Sequence, residues 1–349
     1  MKQGLPGKQS GAVLILAMWT IVLLSTLVLV IGSEVRITAE LSRSQVDRTS
    51  LMAATQTALN AAEMELLLEL MPEPAEDTDP EDDDDEKNPD FRFNGLPLLL
   101  EYAYPETVEV RIYDHAGKIN LRNLTEDQLQ LLLEKLTQDE DGDFDQDLID
   151  ELIAAWGDWL DEDEEVRNLG AEEDYYQSLE TPYLPRQGPF ETVDELLLIR
   201  GFDEWFGNVN LNAAFTLYSE SDLVNLNTAS REALELLPGL YDEAIDAILA
   251  YRQEQDFTDS LELEEIMDDN DLAELQPWID FTSVSQIYTV LVVPRLLLEE
   301  AEGERALRQP QFGGSSRIVS ATDSSERPFV LRIDPVARLP FLEQIAVSE

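Results

Sequence analysis

One uninterrupted apolar stretch constrains this chain more than any other feature. It covers residues 12–31, which read AVLILAMWTIVLLSTLVLVI and contain no charged residue and no proline. A helix rises about 1.5 Å per residue, so a stretch of this length covers roughly 30 Å, the thickness of the hydrocarbon core of a bilayer. The sequence therefore predicts a membrane-spanning helix close to the N-terminus.

The residues in front of this span predict its orientation. Residues 1–11 read MKQGLPGKQSG and hold Lys2 and Lys8 but no acid. Basic residues on the short side of a span favour the cytoplasm for that side. A secretory signal peptide is the competing interpretation, but the apolar run is longer than a typical signal core and no small-x-small cleavage site closes it. We expect a single-pass protein with a cytoplasmic N-terminus and its bulk across the membrane.

Gly11 stands directly between the basic leader and the first apolar residue. This arrangement resembles the leaders of type IV prepilins and of type II secretion pseudopilins. The resemblance implies that a prepilin peptidase cuts between Gly11 and Ala12 and that the new amine of Ala12 is methylated. Most members of that class carry a glutamate as the fifth mature residue, where this chain has Leu16. Within the class, this absence is typical of the general secretion pathway protein K family; taken alone, the stretch is equally compatible with a plain membrane anchor.

Charge and cysteine content restrict the partners and chemistry of the chain. It contains 23 lysines and arginines against 74 acids, which gives a formal net charge of −51, and it has no cysteine. Such a field repels phosphate backbones, so no nucleic-acid partner is expected. With His115 as the single histidine, no cysteine and no Gly-x-Ser-x-Gly motif, the chain also lacks the usual nucleophilic constellations, and we predict that it is not an enzyme.

A long helix, a linker and a strand follow the span. No proline or glycine interrupts residues 34–70, so the helix is expected to continue outside the membrane with one face packed on a sheet. Residues 71–90 hold four prolines and a run of acids, which predicts an exposed linker. Residues 107–113, TVEVRIY, alternate apolar and polar side chains, which predicts a strand with one buried face.

A gapless internal repeat indicates a region of short, capped helices. Residues 119–132, INLRNLTEDQLQLL, align with residues 224–237, VNLNTASREALELL, and place hydroxyl groups at the predicted N-cap positions Thr125 and Ser230. Residues 224–253 resemble the helix-hairpin-helix family, whose DNA-binding members use a Gly-x-Gly turn. Here Gly239 is present, but Tyr241 replaces the second glycine. We therefore predict a packing or protein-docking module.

The most distinctive acidic cluster follows a predicted helix with Trp156 and Trp159 on its apolar face, where tryptophans are expected in the core. Six carboxylates then fall close together in sequence: Asp158, Asp161, Asp163, Glu172, Glu173 and Asp174. From the residues alone, this cluster is either a solvated acidic loop or a metal site. The order of motifs across residues 156–183 resembles protein K of the type II secretion system, whose helical domain binds calcium, and so implies that these six residues form a calcium site. Calcium takes six to eight oxygen ligands, which such a cluster can supply.

A second acidic run, residues 139–145, suggests an EF-hand but does not satisfy its pattern. The loop requires glycine at position 6 and glutamate at position 12. From either candidate start, Asp139 or Asp141, a required residue is missing. An irregular site remains open there.

Strand patterns return at residues 285–293, 316–321 and 328–333. The sequence therefore predicts an α/β fold, in which an N-terminal transmembrane helix and a pilin-like α/β domain carry a large inserted all-α domain of helix-hairpin-helix/SAM-like type. The expected boundaries are a leader at residues 1–11, a long helix at 12–70 with its transmembrane part at 12–31, a linker and first strands at 71–118, the all-α domain at 119–277, and a C-terminal β part at 278–349.

The resemblance to protein K covers nearly the whole chain and implies a function. It implies a minor pseudopilin at the tip of the pseudopilus that assembles with other minor pseudopilins to initiate the pseudopilus and support export across the outer membrane. The implied partners are these subunits, the major pseudopilin, the prepilin peptidase, the bacterial inner membrane and secreted substrates, with the bulk of the chain periplasmic. Two alternatives stay open: a membrane-anchored DNA-uptake protein using its hairpin module, and a calcium-dependent surface interaction protein.

Overall fold

The computed structural model describes residues 10–69, 93–100, 102–139, 142–301, 312–321 and 329–342. The chain divides into two compact units, Met1–Ala54 and Thr55–Glu349, and the boundary lies within the predicted long helix, α1 (Ser10–Glu69). Among the described residues, Leu14–Glu34 is the one helical segment long and apolar enough to cross a membrane, which fits the predicted single-pass anchor. The predicted linker at residues 71–90 lies outside the described residues.

Five antiparallel strands form the sheet of the second unit, in the order β1-β2-β7-β8-β9. They are β1 (Asn94–Leu98), β2 (Val108–Asp114), β7 (Ile287–Pro294), β8 (Phe312–Ser320) and β9 (Phe329–Arg338). The strand predictions at residues 107–113, 285–293, 316–321 and 328–333 are confirmed. β1 has no alternating pattern, because Gly95 and Pro97 interrupt it.

One face of this sheet is directed towards the outer part of α1. Val290 on β7 lies opposite Ile112 of β2 and Arg317 of β8, and the Arg317 guanidinium donates to Gln56 Oε1 at 2.9 Å and pairs with Glu63. The apolar side chains that α1 buries in this unit share one helical face: Ala58, Leu59, Ala62 and Leu66. The predicted packing of the outer helix on a sheet is therefore confirmed.

The sequence between β2 and β7, residues 115–286, folds mainly into short helices around one hydrophobic core. The α-helices are α2 (Glu126–Thr137), α3 (Gln146–Leu160), α4 (Glu173–Gln177), α5 (Phe202–Phe206), α6 (Leu211–Ala214), α7 (Arg231–Leu234), α8 (Asp242–Glu254) and α9 (Asp269–Leu275). Four 3-10 helices accompany them: His115–Gly117, Val193–Leu198, Ser260–Glu265 and Gln276–Trp278. A further helix, α10 (Arg295–Ala301), follows β7.

The helical region is not purely helical, which differs from the prediction. The repeat opens in each copy with a two-residue parallel strand pair: β3 (Ile119–Asn120) with β4 (Phe215–Thr216), and β5 (Val224–Asn225) with β6 (Ile279–Asp280). In each copy the strand asparagine donates to a distant carbonyl at 2.7 Å, Asn120 to Ser219 O and Asn225 to Ser283 O. A strand of two residues is too short to show an alternating pattern, so the sequence predicts these residues as part of the segment that precedes each helix.

The predicted helix caps are present. Thr125 forms a complete capping box with Gln128, in which Thr125 Oγ1 accepts from the Gln128 N–H at 3.2 Å and Gln128 Oε1 accepts from the Thr125 N–H at 3.1 Å. Ser230 Oγ accepts from the Ala233 N–H at 3.1 Å. Each cap satisfies main-chain donors that a helix start leaves unpaired, so the repeat encodes where these helices begin.

Candidate metal centre

The acidic loop is held between two helices that the aromatic core fixes against each other. Trp156 and Trp159 of α3 are buried, as predicted, and the Trp159 ring lies 5.2 Å from the ring of Tyr176 on α4 in an edge contact. α3 ends at Leu160 and α4 begins at Glu173, so the core sets the distance between the two ends of the loop. Packing of apolar rings therefore brings acids from opposite ends of the loop together.

Three of the predicted carboxylates come together in space. One carboxylate oxygen from each of Asp161, Asp163 and Glu172 lies within 4.8 Å of the others. Asp163 is exposed and Asp161 is half-buried, whereas Glu172 is only 4% exposed. Three negative groups at such distances repel one another, most strongly where Glu172 is shielded from water.

Three buried oxygen atoms of this group lack hydrogen-bond partners among the described residues, whereas Asp163 Oδ1 accepts from the Glu165 N–H at 2.8 Å. Both Glu172 carboxylate oxygens and Asp161 Oδ1 are buried with no donor in reach. Burial is the main cause, and the charges of Asp158 and Asp161 the next, of a rise in the pKa of Glu172 to about 7. A buried carboxylate without a donor is unfavourable unless a cation or a proton neutralises it. The carboxylate oxygens and their uncompensated negative charge therefore fit a hard cation such as calcium, which prefers oxygen ligands.

Asp158 has a different role from the three clustered acids. It is fully buried, its Oδ1 accepts from the Arg167 N–H at 3.2 Å, and the Arg167 Nε lies 3.6 Å from the same oxygen. Burial raises the pKa of Asp158, while the main-chain donor of Arg167 opposes that rise. A Cβ at Gly170 would lie 2.0 Å from Asp158 Oδ2, so the loop turns closely around this carboxylate. Asp158 thus organises the loop that presents the other acids.

Arg167 is the functional residue that sequence reasoning missed. Its guanidinium bonds Glu126 of α2 at 2.7 Å and lies 3.6 Å from Asp161 Oδ2, so it ties the loop to a neighbouring helix. The sequence could have indicated Arg167, because it is the only basic residue between Asp158 and Asp174 and therefore the only side chain there that can pair with the surrounding acids.

The remaining two predicted ligands lie outside the three-carboxylate group. Glu173 is half-buried and bonds Gln177 within α4, and Asp174 is exposed. Both stand in the first turn of α4, where acids interact favourably with unpaired main-chain N–H groups. The structure therefore brings together Asp161, Asp163 and Glu172, places Asp158 beside them, and leaves Glu173 and Asp174 on the adjoining helix.

In the second acidic run, residues 139–145, the described acids accept hydrogen bonds from nearby main-chain N–H groups. Asp139 Oδ1 accepts from the Asp143 N–H at 3.0 Å, and Asp145 Oδ1 accepts from the Asp147 N–H at 3.0 Å to cap α3. Residues 140 and 141 lie outside the described residues. The described acids of this run thus close turns and start a helix.

The helix-hairpin-helix turn faces another helix of the same chain. Gly239 has a φ of +76°, and a Cβ there would lie 2.2 Å from the Asp271 main-chain oxygen of α9. The glycine therefore allows a close approach between two backbones of the same chain. This geometry fits the predicted packing module.

Comparison with known proteins gives the same family as the sequence resemblance. Residues 117–206 match the family model described as Type II secretion system (T2SS), protein K. The chain is 31% identical over 100 residues to Type II secretion system protein K from Klebsiella pneumoniae, covering 29% of this chain and 31% of the relative. It is 36% identical over 92 residues to the protein of that name from Aeromonas hydrophila, covering 26% of this chain and 28% of the relative. The resemblance to protein K is thereby confirmed, while the alignments span about a third of the length of these curated relatives.

A solved structure also resembles the chain. The match is to a chain in the crystal structure of the GspK-GspI-GspJ complex from the type 2 secretion system of enterotoxigenic Escherichia coli. It has a TM-score of 0.49 and 15% sequence identity, and it covers 84% of this chain and 98% of that chain.

Proposed function

We propose that this chain is a minor pseudopilin of the type II secretion system, anchored in the bacterial inner membrane with its bulk in the periplasm. The match of residues 117–206 to the protein K family carries this proposal. The membrane-length helix Leu14–Glu34 supports it, because a pseudopilin needs an N-terminal apolar helix. The basic leader in front of that helix supports a cytoplasmic N-terminus.

The proposal places this subunit at the tip of the pseudopilus, where it helps to initiate assembly with other minor pseudopilins and supports export. Two features support a tip position. Leu16 stands where most pseudopilins carry the glutamate that pairs with a neighbouring subunit. The large, mainly helical region between β2 and β7 adds bulk that would obstruct a further subunit above it. The proposal treats this region as a mainly helical domain of helix-hairpin-helix/SAM-like type, with two short strand pairs, inserted into a pilin-like domain.

Calcium is the proposed ligand of the acidic loop. Asp161, Asp163 and Glu172 would hold the ion, with Asp158 and Arg167 fixing the loop around them. The unpartnered buried oxygens of Glu172 and Asp161 support this proposal, because a cation would satisfy them. When bound, the ion would supply positive charge and cross-link the end of α3 to the start of α4. Its role would be structural, and no catalytic step is part of the proposal.

A reconstitution experiment tests the proposed function. The full chain, extracted in detergent with calcium present, is incubated with the other minor pseudopilins of the same secretion system and, separately, with the major pseudopilin. We expect stable capture of minor pseudopilins, because they would lie directly beneath a tip subunit. Absence of capture, or equal capture of an unrelated single-pass protein of matching charge, would contradict the proposal.

Leader processing provides a second test. Co-expression with a prepilin peptidase should yield a chain that begins at a methylated Ala12, because the basic leader ends at Gly11. Mass spectrometry of the membrane-extracted protein reads this directly. Gly11→Val should block cleavage completely, while Gly7→Val, in the same leader, should leave it intact. An intact Met1 in the parent protein, or a cut near Gly32, would refute the pseudopilin assignment.

A further inference from the structure

A polar cavity lies between the sheet and the helical region. Its empty volume is about 440 Å³, part of it open to solvent. Residues of β2, β7, β8 and β9 line one side, and residues 210–213 line the other. The cavity is therefore a feature of the junction between the two parts of this unit.

Lys118 is buried in the wall of this cavity, with only 4% of its surface exposed. Its ammonium donates to the Asn212 main-chain oxygen at 2.7 Å and to Thr289 Oγ1 at 3.3 Å. Both acceptors are neutral, and an ammonium has three donors. Among the described residues, no carboxylate oxygen lies within 4.0 Å of it. Lys118 thus presents a buried charge that the described chain does not match directly.

A second cation shares the cavity and is bound in the same way. The Arg338 guanidinium donates to two main-chain oxygens, Val209 O at 2.7 Å and Asn208 O at 2.5 Å, and no described carboxylate pairs with it. The one acid in the lining, Asp334, already pairs with Arg332 at 3.2 Å. Two cations held only by neutral oxygens are unexpected in a chain of net charge −51, in which acids are abundant.

Other buried groups do not neutralise this pair of charges. Burial lowers the pKa of Lys118 to about 8, so it remains mostly protonated at neutral pH. Glu232 and Asp114 are the acids that favour a charged Lys118, but neither forms an ion pair with it within 4.0 Å. Burial raises the pKa of both acids, that of Glu232 to about 7, so Glu232 is only partly ionised. His115 has both ring nitrogens paired with the hydroxyls of Thr216 and Thr289, and burial lowers its pKa. The charge on the cavity wall therefore stays positive.

We propose that this cavity is a binding site for a small carboxylate. The lining carries two cations, Lys118 and Arg338, and its one carboxylate, Asp334, is already paired with Arg332, so a bound anion would offset positive charge that the described lining leaves unmatched. Charge-assisted hydrogen bonds from an ammonium and a guanidinium are the strong contacts by which proteins hold carboxylates. The hydroxyls of Thr289 and Ser316 supply further polar partners in the wall. A phosphate dianion would meet stronger repulsion from Asp334 in the lining than a carboxylate monoanion would.

Acetate is the probe that tests this site. The full chain in detergent, saturated with calcium, is melted in rising sodium acetate, with sodium chloride adjusted to hold the ionic strength constant. We expect the melting temperature to rise with the logarithm of acetate concentration, by about 3 °C once acetate reaches ten times its dissociation constant. Line broadening of carbon-13 acetate, measured by NMR at a temperature where the protein stays folded, reports binding independently of stability.

Matched variants locate the effect. Lys118→Met should remove the acetate response and Arg338→Gln should weaken it at least tenfold. Lys135→Met is the control, because Lys135 is another lysine whose pKa burial lowers to about 8, but it donates to Leu237 O and Leu240 O away from the cavity. Arg338→Gln keeps the test valid if Lys118→Met fails to fold. The proposal would be overturned if the parent showed no response to acetate, if both cavity variants kept the parent's response, or if phosphate gave a larger response than acetate.

Discussion

Replacing Glu172 by glutamine is expected to raise the melting temperature of the calcium-free protein and to abolish the response to calcium. The parent chain should gain about 2.7 kcal/mol when free calcium is a hundredfold above its dissociation constant, which corresponds to several degrees. Glutamine keeps the shape of the side chain but removes the buried charge, so the repulsion with Asp161 and Asp163 falls while an ionic ligand is lost. Thermal melts with calcium, with magnesium at equal ionic strength, and with chelator measure both effects.

Asp174→Asn is the matched control for this experiment. It removes a carboxylate from the same sequence cluster, but Asp174 is exposed and lies outside the three-carboxylate group. The variant should keep the full calcium-specific shift. The double variant Asp161→Asn with Asp163→Asn should lose it, as Glu172→Gln does. Equal shifts with calcium and magnesium would show that the loop responds only by screening, and a calcium-specific shift retained in Glu172→Gln would show that Glu172 does not hold the ion.

Gly239→Ala is expected to destabilise the chain by about 2–5 kcal/mol. A left-handed backbone costs a residue with a Cβ about 1–2 kcal/mol. The added Cβ would also lie 2.2 Å from the Asp271 oxygen, which forces α9 away from the hairpin turn, and overpacking of this kind adds about 1–3 kcal/mol. The melting temperature of the full chain in detergent with saturating calcium reads the loss.

Gly142→Ala separates the two contributions. Gly142 has a φ of +85°, close to that of Gly239, but nothing lies within 4 Å of the position of an added Cβ. This variant should therefore show the backbone cost alone, about 1–2 kcal/mol. If both alanine variants lose the same stability, the contact between the hairpin turn and α9 contributes nothing measurable.

The sequence determined the elements that depend on local chemistry. An apolar run without proline or glycine sufficed to predict the membrane-length part of α1, because the residue count sets the helix length, which matches the thickness of the bilayer core. The alternation of apolar and polar side chains sufficed to predict the strands β2 and β7. Hydroxyl residues before acidic first turns sufficed to predict the helix caps at Thr125 and Ser230. These signals act within a few residues, so no knowledge of the partner segments was needed. The protein K resemblance added a calcium prediction that the acids alone left open.

Tertiary structure decided which acids act together. Six carboxylates close in sequence look equivalent, yet only Asp161, Asp163 and Glu172 converge, because the edge contact between Trp159 and Tyr176 fixes the two ends of the loop. Asp158 is instead enclosed by Arg167 and Gly170. Burial then distinguishes Glu172 from its neighbours, since its desolvation depends on atoms distant in sequence.

The same limit applies to the cavity at the junction. Lys118 and Arg338 are far apart in the chain and carry no local motif, and only the pairing of the sheet and the packing of residues 210–213 bring them to one space. The strand pairs β3–β4 and β5–β6 escaped prediction for a related reason, because each strand exists only through a partner many residues away. Periodicity and composition report local preference, whereas electrostatic environment and pairing arise from contacts between distant segments, which only the folded chain supplies.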